Sequence, residues 1–202
     1  MQVFRHLPPA NAACGVTIGN YDGFHLGHQK ILETLISESR NKGLETAVIT
    51  FDPHPKEFFS PESAPSRIIS LREKLEFFEG LDIDRVYIIK FDKIFSKIKS
   101  DEFINILKLI RTDLVVVGED FKFGNKREGT INNLSKELAE VIGVKEITSS
   151  AQKISSTTIR QSLHEGDFGK VELLMGRPYS ISGKVIHGNK LAREMGFPTA
   201  NI

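Results

Sequence analysis

The chain has 202 residues, 40% hydrophobic and 26% charged, the balance of an ordinary globular protein. Its 27 Lys and Arg stand against 26 Asp and Glu, and this net charge of +1 gives no electrostatic case for nucleic acid as a main partner. A single cysteine, Cys14, excludes an internal disulfide, and no apolar run reaches signal-peptide or membrane-span length, so a cytoplasmic protein without a membrane partner is expected.

Short β-rich runs alternate with amphipathic segments along the chain. Residues 13–18 form an apolar run ending at Gly19, the pattern of a buried strand. Ile31, Leu32, Leu35 and Ile36 then fall on one helical face, predicting a helix over 28–42 with Gly43 as its stop. The β-branched run 46–51 predicts a second strand, after which Pro53 and Pro55 force irregular chain. Ser70 followed by Glu73 signals a capping box for a helix over 70–79. Residues 86–91 make a third strand, and Ser100, Asp101 and Glu102 open a helix that buries Phe103, Ile104, Leu107 and Ile110. The unbroken apolar run 114–117 is a strand of the kind covered on both faces. A loop rich in Gly and charge spans 118–129, and a helix over 134–141 and a strand over 144–147 follow. Ser155 or Ser156 can cap a further helix that runs to His164 and ends at Gly166. The series predicts an α/β fold with a doubly wound, mostly parallel sheet, whose ligands sit beyond the carboxyl ends of the strands.

Two of these junctions carry phosphate chemistry. His25 and His28 flank Gly27 where the first strand meets its helix, on one side of the first helical turn. Free N–H groups at that helix start favour an anion, and imidazole donors beside it can stabilise charge on a phosphoryl group in transit. A zinc site needs three or four ligands, and His-x-x-His without a nearby cysteine is a weak signal for one. The second junction is Ile154-Ser155-Ser156-Thr157-Thr158-Ile159-Arg160, where hydroxyls and N–H groups meet a guanidinium one turn along the helix. No serine, cysteine or lysine has an activating partner in sequence, which favours direct in-line transfer over a covalent enzyme intermediate.

The run Gly19-Asn20-Tyr21-Asp22-Gly23-Phe24-His25-Leu26-Gly27-His28 resembles the H-x-G-H signature of the nucleotidyltransferase superfamily, in the form found in bacterial FAD synthetases. Thr50-Phe51-Asp52-Pro53-His54-Pro55, Gly118-Glu119-Asp120-Phe121-Lys122-Phe123-Gly124 and the run from Ile154 to Arg160 resemble that family's next three motifs, in its order. The resemblance implies transfer of AMP from ATP to FMN with release of pyrophosphate, assisted by Mg2+. It implies His25 and His28 around the α-phosphate and Ser156, Thr157 and Arg160 on the outgoing phosphates. Gly19, Asn20, Asp22, Gly23, Gly27, Gly118 and Asp120 would complete the ATP site. Asp52, Pro53, His54, Phe121 and Phe123 would flank the flavin.

The family is usually bifunctional, with a riboflavin kinase domain following the transferase. Gly176-Arg177-Pro178-Tyr179 looks like the start of that domain, and Gly196-Phe197-Pro198-Thr199-Ala200-Asn201 resembles its motif, in which Thr199 and Asn201 would help bind magnesium and nucleotide. The expected division is 1–175 for the transferase and 176–202 for the first residues of a β-barrel kinase, from which no kinase activity is expected. Three rivals remain open on the sequence: a different phosphorylated acceptor, a non-catalytic flavin or nucleotide module, and a synthetase that charges tRNA. The last would be expected to carry a Lys-Met-Ser-Lys-Ser loop, which is not found.

Overall fold

The structure, a computed structural model, describes residues 1–8, 10–149, 152–186 and 196. In chain order its elements are β1 (Gln2–Phe4), β2 (Cys14–Ile18), α1 (Leu26–Asn41), β3 (Glu45–Phe51), α2 (Pro55–Phe59), α3 (Leu71–Gly80), β4 (Arg85–Ile89), α4 (Ser100–Leu109) and β5 (Thr112–Gly118). Then follow β6 (Lys122–Phe123), β7 (Gly129–Thr130), α5 (Ile131–Glu137), β8 (Glu140–Val144), β9 (Thr148–Ser149), β10 (Gln152–Lys153), α6 (Ser156–Glu165) and α7 (Phe168–Met175).

Six strands form one parallel sheet in the order β1-β4-β3-β2-β5-β8. From β2 the chain winds outward through β3 and β4, and then returns to build β5 and β8 on the other side. The winding therefore reverses between β2 and β5, and that crevice is where a doubly wound sheet receives its ligand. Both faces of the sheet are apolar because alternate residues serve different cores. Cys14, Val16, Ile18, Ala47, Ile49, Tyr87, Ile89, Val115 and Val117 face α4 and α5. Val48, Val86, Ile88, Leu114 and Val116 face α1, α3, α6 and α7.

The predicted α/β fold is the one observed, with several local differences. The expected helix over 134–141 is α5, which ends at Glu137, and Glu140–Val144 is already strand β8, so the expected strand over 144–147 lies mostly past its end. Val141 pairs with Val115 and Ile142 with Val116, so an open sheet edge overrides the helical spacing of Leu134, Leu138 and Val141. Pro53 and Pro55 do not leave irregular chain throughout, because Pro55 occupies the first position of α2, where its missing N–H costs nothing. Strand β1, the short strands β6, β7, β9 and β10, and helix α7 have no counterpart in the expectation.

Candidate functional site

The loop Gly19 to His25 leaves β2 and carries the first phosphate candidate. Tyr21, Gly23 and Phe24 all have left-handed backbone, with φ of 51°, 80° and 47°. For the two non-glycine residues this conformation costs on the order of 1–3 kcal/mol each and persists only where packing over-determines it. The packing is present. The Tyr21 hydroxyl meets Thr17 Oγ1 at 2.6 Å, its ring meets Phe78 edge-on at 5.4 Å, and Phe24 stacks on Phe77 at 4.7 Å.

His25 is the N-cap of α1, and its Nδ1 accepts the N–H of His28 at 3.3 Å. A neutral His25 with Nδ1 as acceptor carries its proton on Nε2, where it is a donor. The His25 and His28 rings stack with centroids 3.7 Å apart. Burial pushes His25 down to about 4, against the pull of Asp22 in the other direction. His28 is held well below the ordinary imidazole value by burial, and also by His25 and Lys74. Both imidazoles are therefore neutral near pH 7, and His28 Nδ1 is buried with no partner among the described residues. Gly27 answers to the same stack. A Cβ there would lie 3.1 Å from His25 Nδ1, so the glycine makes room for the imidazole itself.

Asp22 is engaged by protein groups on both carboxylate oxygens. Its Oδ1 accepts the N–H groups of Ile68 and Ile69 at 2.9 and 3.2 Å, and its Oδ2 pairs with the Arg160 guanidinium. Arg160 Nε also donates to the Ser66 carbonyl at 2.7 Å. Ser155, rather than Ser156, caps α6 by accepting the Thr158 N–H. Ser156 Oγ donates to the Asp22 carbonyl at 2.7 Å, so its hydroxyl fastens α6 to the loop after β2. One aspartate thus holds together two stretches separated by 138 positions.

At the carboxyl edge of the sheet lies a cleft of about 1150 Å³. Gly19 and Asn20 line it from β2, Phe51 and His54 from β3, Phe91 and Phe95 from beyond β4, Asp120, Phe121 and Phe123 from beyond β5, and Thr157 and Arg160 from α6. Asn20 Oδ1 is buried without a partner among the described residues. Gly118 ends β5, where a Cβ would meet Asp120 Oδ1 at 3.2 Å. The Asp120 carboxylate is exposed and paired with Lys153 at 3.4 Å. A chain of phenylalanine rings crosses the floor. Phe51 and Phe91 lie 5.8 Å apart, Phe91 and Phe95 5.7 Å, Phe95 and Phe103 6.3 Å, Phe103 and Phe123 5.4 Å, and Phe123 and Phe121 5.7 Å.

Of the residues expected at the flavin, His54, Phe121 and Phe123 line the cleft, whereas Asp52 and Pro53 do not. Asp52 pairs with Arg67 at 3.0 Å, and Arg67 also binds Glu57 at 2.6 Å, which anchors α2. Residues missed on the sequence include Phe51, Phe91 and Phe95, which the strand ends could have flagged, and the cations Lys56, Lys122, Lys126 and Arg127 of the rim. Thr199 and Asn201 lie outside the described residues.

A family model described as FAD synthetase matches residues 7–158, and one described as riboflavin kinase matches 175–202. A relative from Haemophilus influenzae named bifunctional riboflavin kinase/FMN adenylyltransferase is 41% identical over 100% of this chain and 68% of its own. A relative of the same name from Escherichia coli K12 is 38% identical over 94% of this chain and 62% of its own. The chain thus spans about two thirds of the length of the curated relatives it matches. A crystal structure from Streptococcus pneumoniae described as a macrolide-efflux protein aligns with a TM-score of 0.87 and 28% identity, covering 99% of this chain and 67% of that one. No helix among the described residues of the present chain is long and apolar enough to cross a membrane. Pantothenate synthetase from Thermus thermophilus aligns at a TM-score of 0.50 and 12% identity over 85% of this chain and 79% of its own, a likeness of fold alone.

Proposed function

The chain belongs to the FAD synthetase family, whose reaction is the transfer of AMP from ATP to FMN, and we propose that this cleft performs that transfer with the following division of labour. ATP lies across the switch point, its α-phosphate at the start of α1 and its β- and γ-phosphates over the start of α6. The FMN phosphate oxygen attacks the α-phosphorus, the bond to the bridging β-oxygen breaks, and pyrophosphate leaves. Both partners are phosphates, so the protein's part is to position them and to stabilise charge.

His25 and His28 act as neutral donors to the α-phosphoryl oxygens, His25 through Nε2. Thr157 and the free face of Arg160 receive the departing pyrophosphate, while Asp22 and Ser156 hold α6 in register with the first loop. Gly19, Asn20, Gly23 and Gly118 let the backbone approach the nucleotide, and Asp120 faces its ribose or base. The phenylalanine floor, with His54, takes the flavin rings. The cleft volume supports this reading, since about 1150 Å³ exceeds the roughly 300–1,000 Å³ of a one-ligand pocket. Magnesium, brought in with the nucleotide, would supply neutralisation of phosphate charge. No group of three or more His, Cys, Asp or Glu able to hold a metal occurs among the described residues.

The single observation that supports the proposal is the Asp22 bridge, which ties the start of α6 to the loop that runs into His25 and His28. Its test is incubation with FMN, ATP and Mg2+ followed by separation of flavins. FAD and pyrophosphate are expected in equal amounts, with turnover of His28→Ala lower by roughly 10²–10³. Absence of FAD, or full activity in that variant, would contradict it.

A further inference from the structure

Arg177 is the second residue past helix α7, and it lies in the segment matched by the riboflavin kinase model, not in the one matched by the FAD synthetase model. The chain reaches it through Gly176, the left-handed C-cap of α7 at φ 70°. A Cβ on Gly176 would lie 2.7 Å from Leu26 Cδ2, so a side chain there would push aside the first residue of α1. Gln29 ties the same two elements together, donating to the carbonyls of Phe24 and Met175 at 2.9 and 2.8 Å.

From that turn the Arg177 guanidinium reaches over the Phe77 ring, with Cζ 4.3 Å from the centroid. Its Nη2 lies 3.5 Å from the Gly23 carbonyl oxygen, a long hydrogen bond. Its Nε is buried with no partner, and Arg177 forms no ion pair among the described residues. The aromatic face is therefore the main attraction left to a partly desolvated cation. The same Phe77 ring stacks on Phe24 at 4.7 Å. Gly23 and Phe24 are the two left-handed residues just before His25, at 80° and 47°. Phe24 keeps that conformation only while its surroundings hold it. Arg177 reaches both residues, Gly23 at its carbonyl and Phe24 through the shared ring. It does not line the cleft, so its action on the site passes through this loop.

We propose that Arg177 is a positioning residue for the adenylyl site, holding the turn at Gly23 and Phe24 so that His25 enters α1 in the geometry the phosphate needs. A residue of the kinase-matched segment thereby serves the transfer site. The inference deepens the adenylyl-transfer reading and rests on it for what the loop does, but not for how the loop is held.

The test uses the full chain and measures FAD formation against ATP concentration, with the His25 imidazole followed by NMR titration without ligand. It compares wild type with R177M, which keeps the apolar stem, R177Q, a second neutral variant, R177K, which keeps the charge, F77L, which keeps the charge and removes the ring, and R177M/F77L. In R177M and R177Q kcat is expected to fall by roughly tenfold, the scale of one partly desolvated cation on a ring, with the KM for ATP moved by less than about twofold. R177K should stay within about threefold of wild type. His25, pushed down to about 4 by burial, should titrate closer to 6.5 by about one pH unit in R177M, R177Q and F77L alike. The further effect of R177M on the F77L background should be less than about threefold, because the ring transmits it. Loss of packing alone would lower the thermal midpoint while leaving His25 and kcat per folded molecule at their wild-type values, and that result would overturn the proposal. So would an R177K as impaired as R177M, or a loss in R177M that persists in full with F77L. A wild type that makes no FAD would sink the transfer reading, and the His25 titration would still decide whether Arg177 holds the loop.

Discussion

At the start of α1 two imidazoles are kept neutral by burial, and the Nδ1 of His25 is committed to a backbone N–H. Neutral donors beside a phosphoryl group add hydrogen bonds without adding a proton that could be lost to solvent. The same burial has a consequence for stability. The free imidazole titrates near 6.5 and folded His25 at about 4, so below pH 6.5 the unfolded chain takes up a proton that the folded chain refuses. Stability is full above that window and is lost as pH falls toward the folded value, with His28 contributing in the same direction. Urea unfolding midpoints should fall as pH is lowered from about 7 to about 4, and less steeply in His28→Asn. An equal slope in the variant would contradict the assignment. His25, His28 and Arg160 could be singled out from sequence because their chemistry is legible in short runs. Asp22 was visible, but its partners Ile68, Ile69 and Arg160 lie 46 to 138 positions away.

At the scale of elements, each group proposed to act in the transfer rides on a strand end or a helix start. The strained loop after β2 is fixed by aromatic packing on α3, and α6 is fixed by Ser155 capping and by Ser156 on the Asp22 carbonyl. Gly27 offers a sharp test of this view. It sits in the first turn of a helix, where Gly→Ala ordinarily gains up to about 1 kcal/mol. Yet its Cβ would press on the His25 ring at 3.1 and 3.2 Å. Gly27→Ala should therefore keep or raise the thermal midpoint while lowering FAD turnover, a combination read by unfolding and product formation on one preparation. Unchanged turnover would mean that the imidazole stack has no catalytic part. Apolar periodicity located α1 and α4, and capping residues located α3 and α6. It misassigned 138–141 because Leu138 and Val141 suit either a helix or a strand, and only the open edge of β5 decides between them. It missed α7, a helix of eight residues in which only Val171, Leu174 and Met175 mark the buried face.

Across the whole molecule, the sheet order makes one crevice, and the site draws on every part of the chain that reaches it. Helix α7 returns to the start of α1, where the Gln29 amide donates to the Phe24 and Met175 carbonyls at 2.9 and 2.8 Å. Beyond it Arg177 lies 4.3 Å over the Phe77 ring, which itself stacks on Phe24 of the first loop. The segment matched by the riboflavin kinase model therefore begins in contact with α3 and, through Phe77, with the loop after β2. The central claim is that the imidazole turn and the start of α6 hold one triphosphate between them. It is tested most directly by a crystal structure with an ATP analogue whose α–β bridge is methylene. The account predicts α-phosphate oxygens within about 3.2 Å of a His25 or His28 nitrogen, with the terminal phosphates against Thr157 and Arg160. A triphosphate bound away from both segments, or touching only one of them, would contradict it.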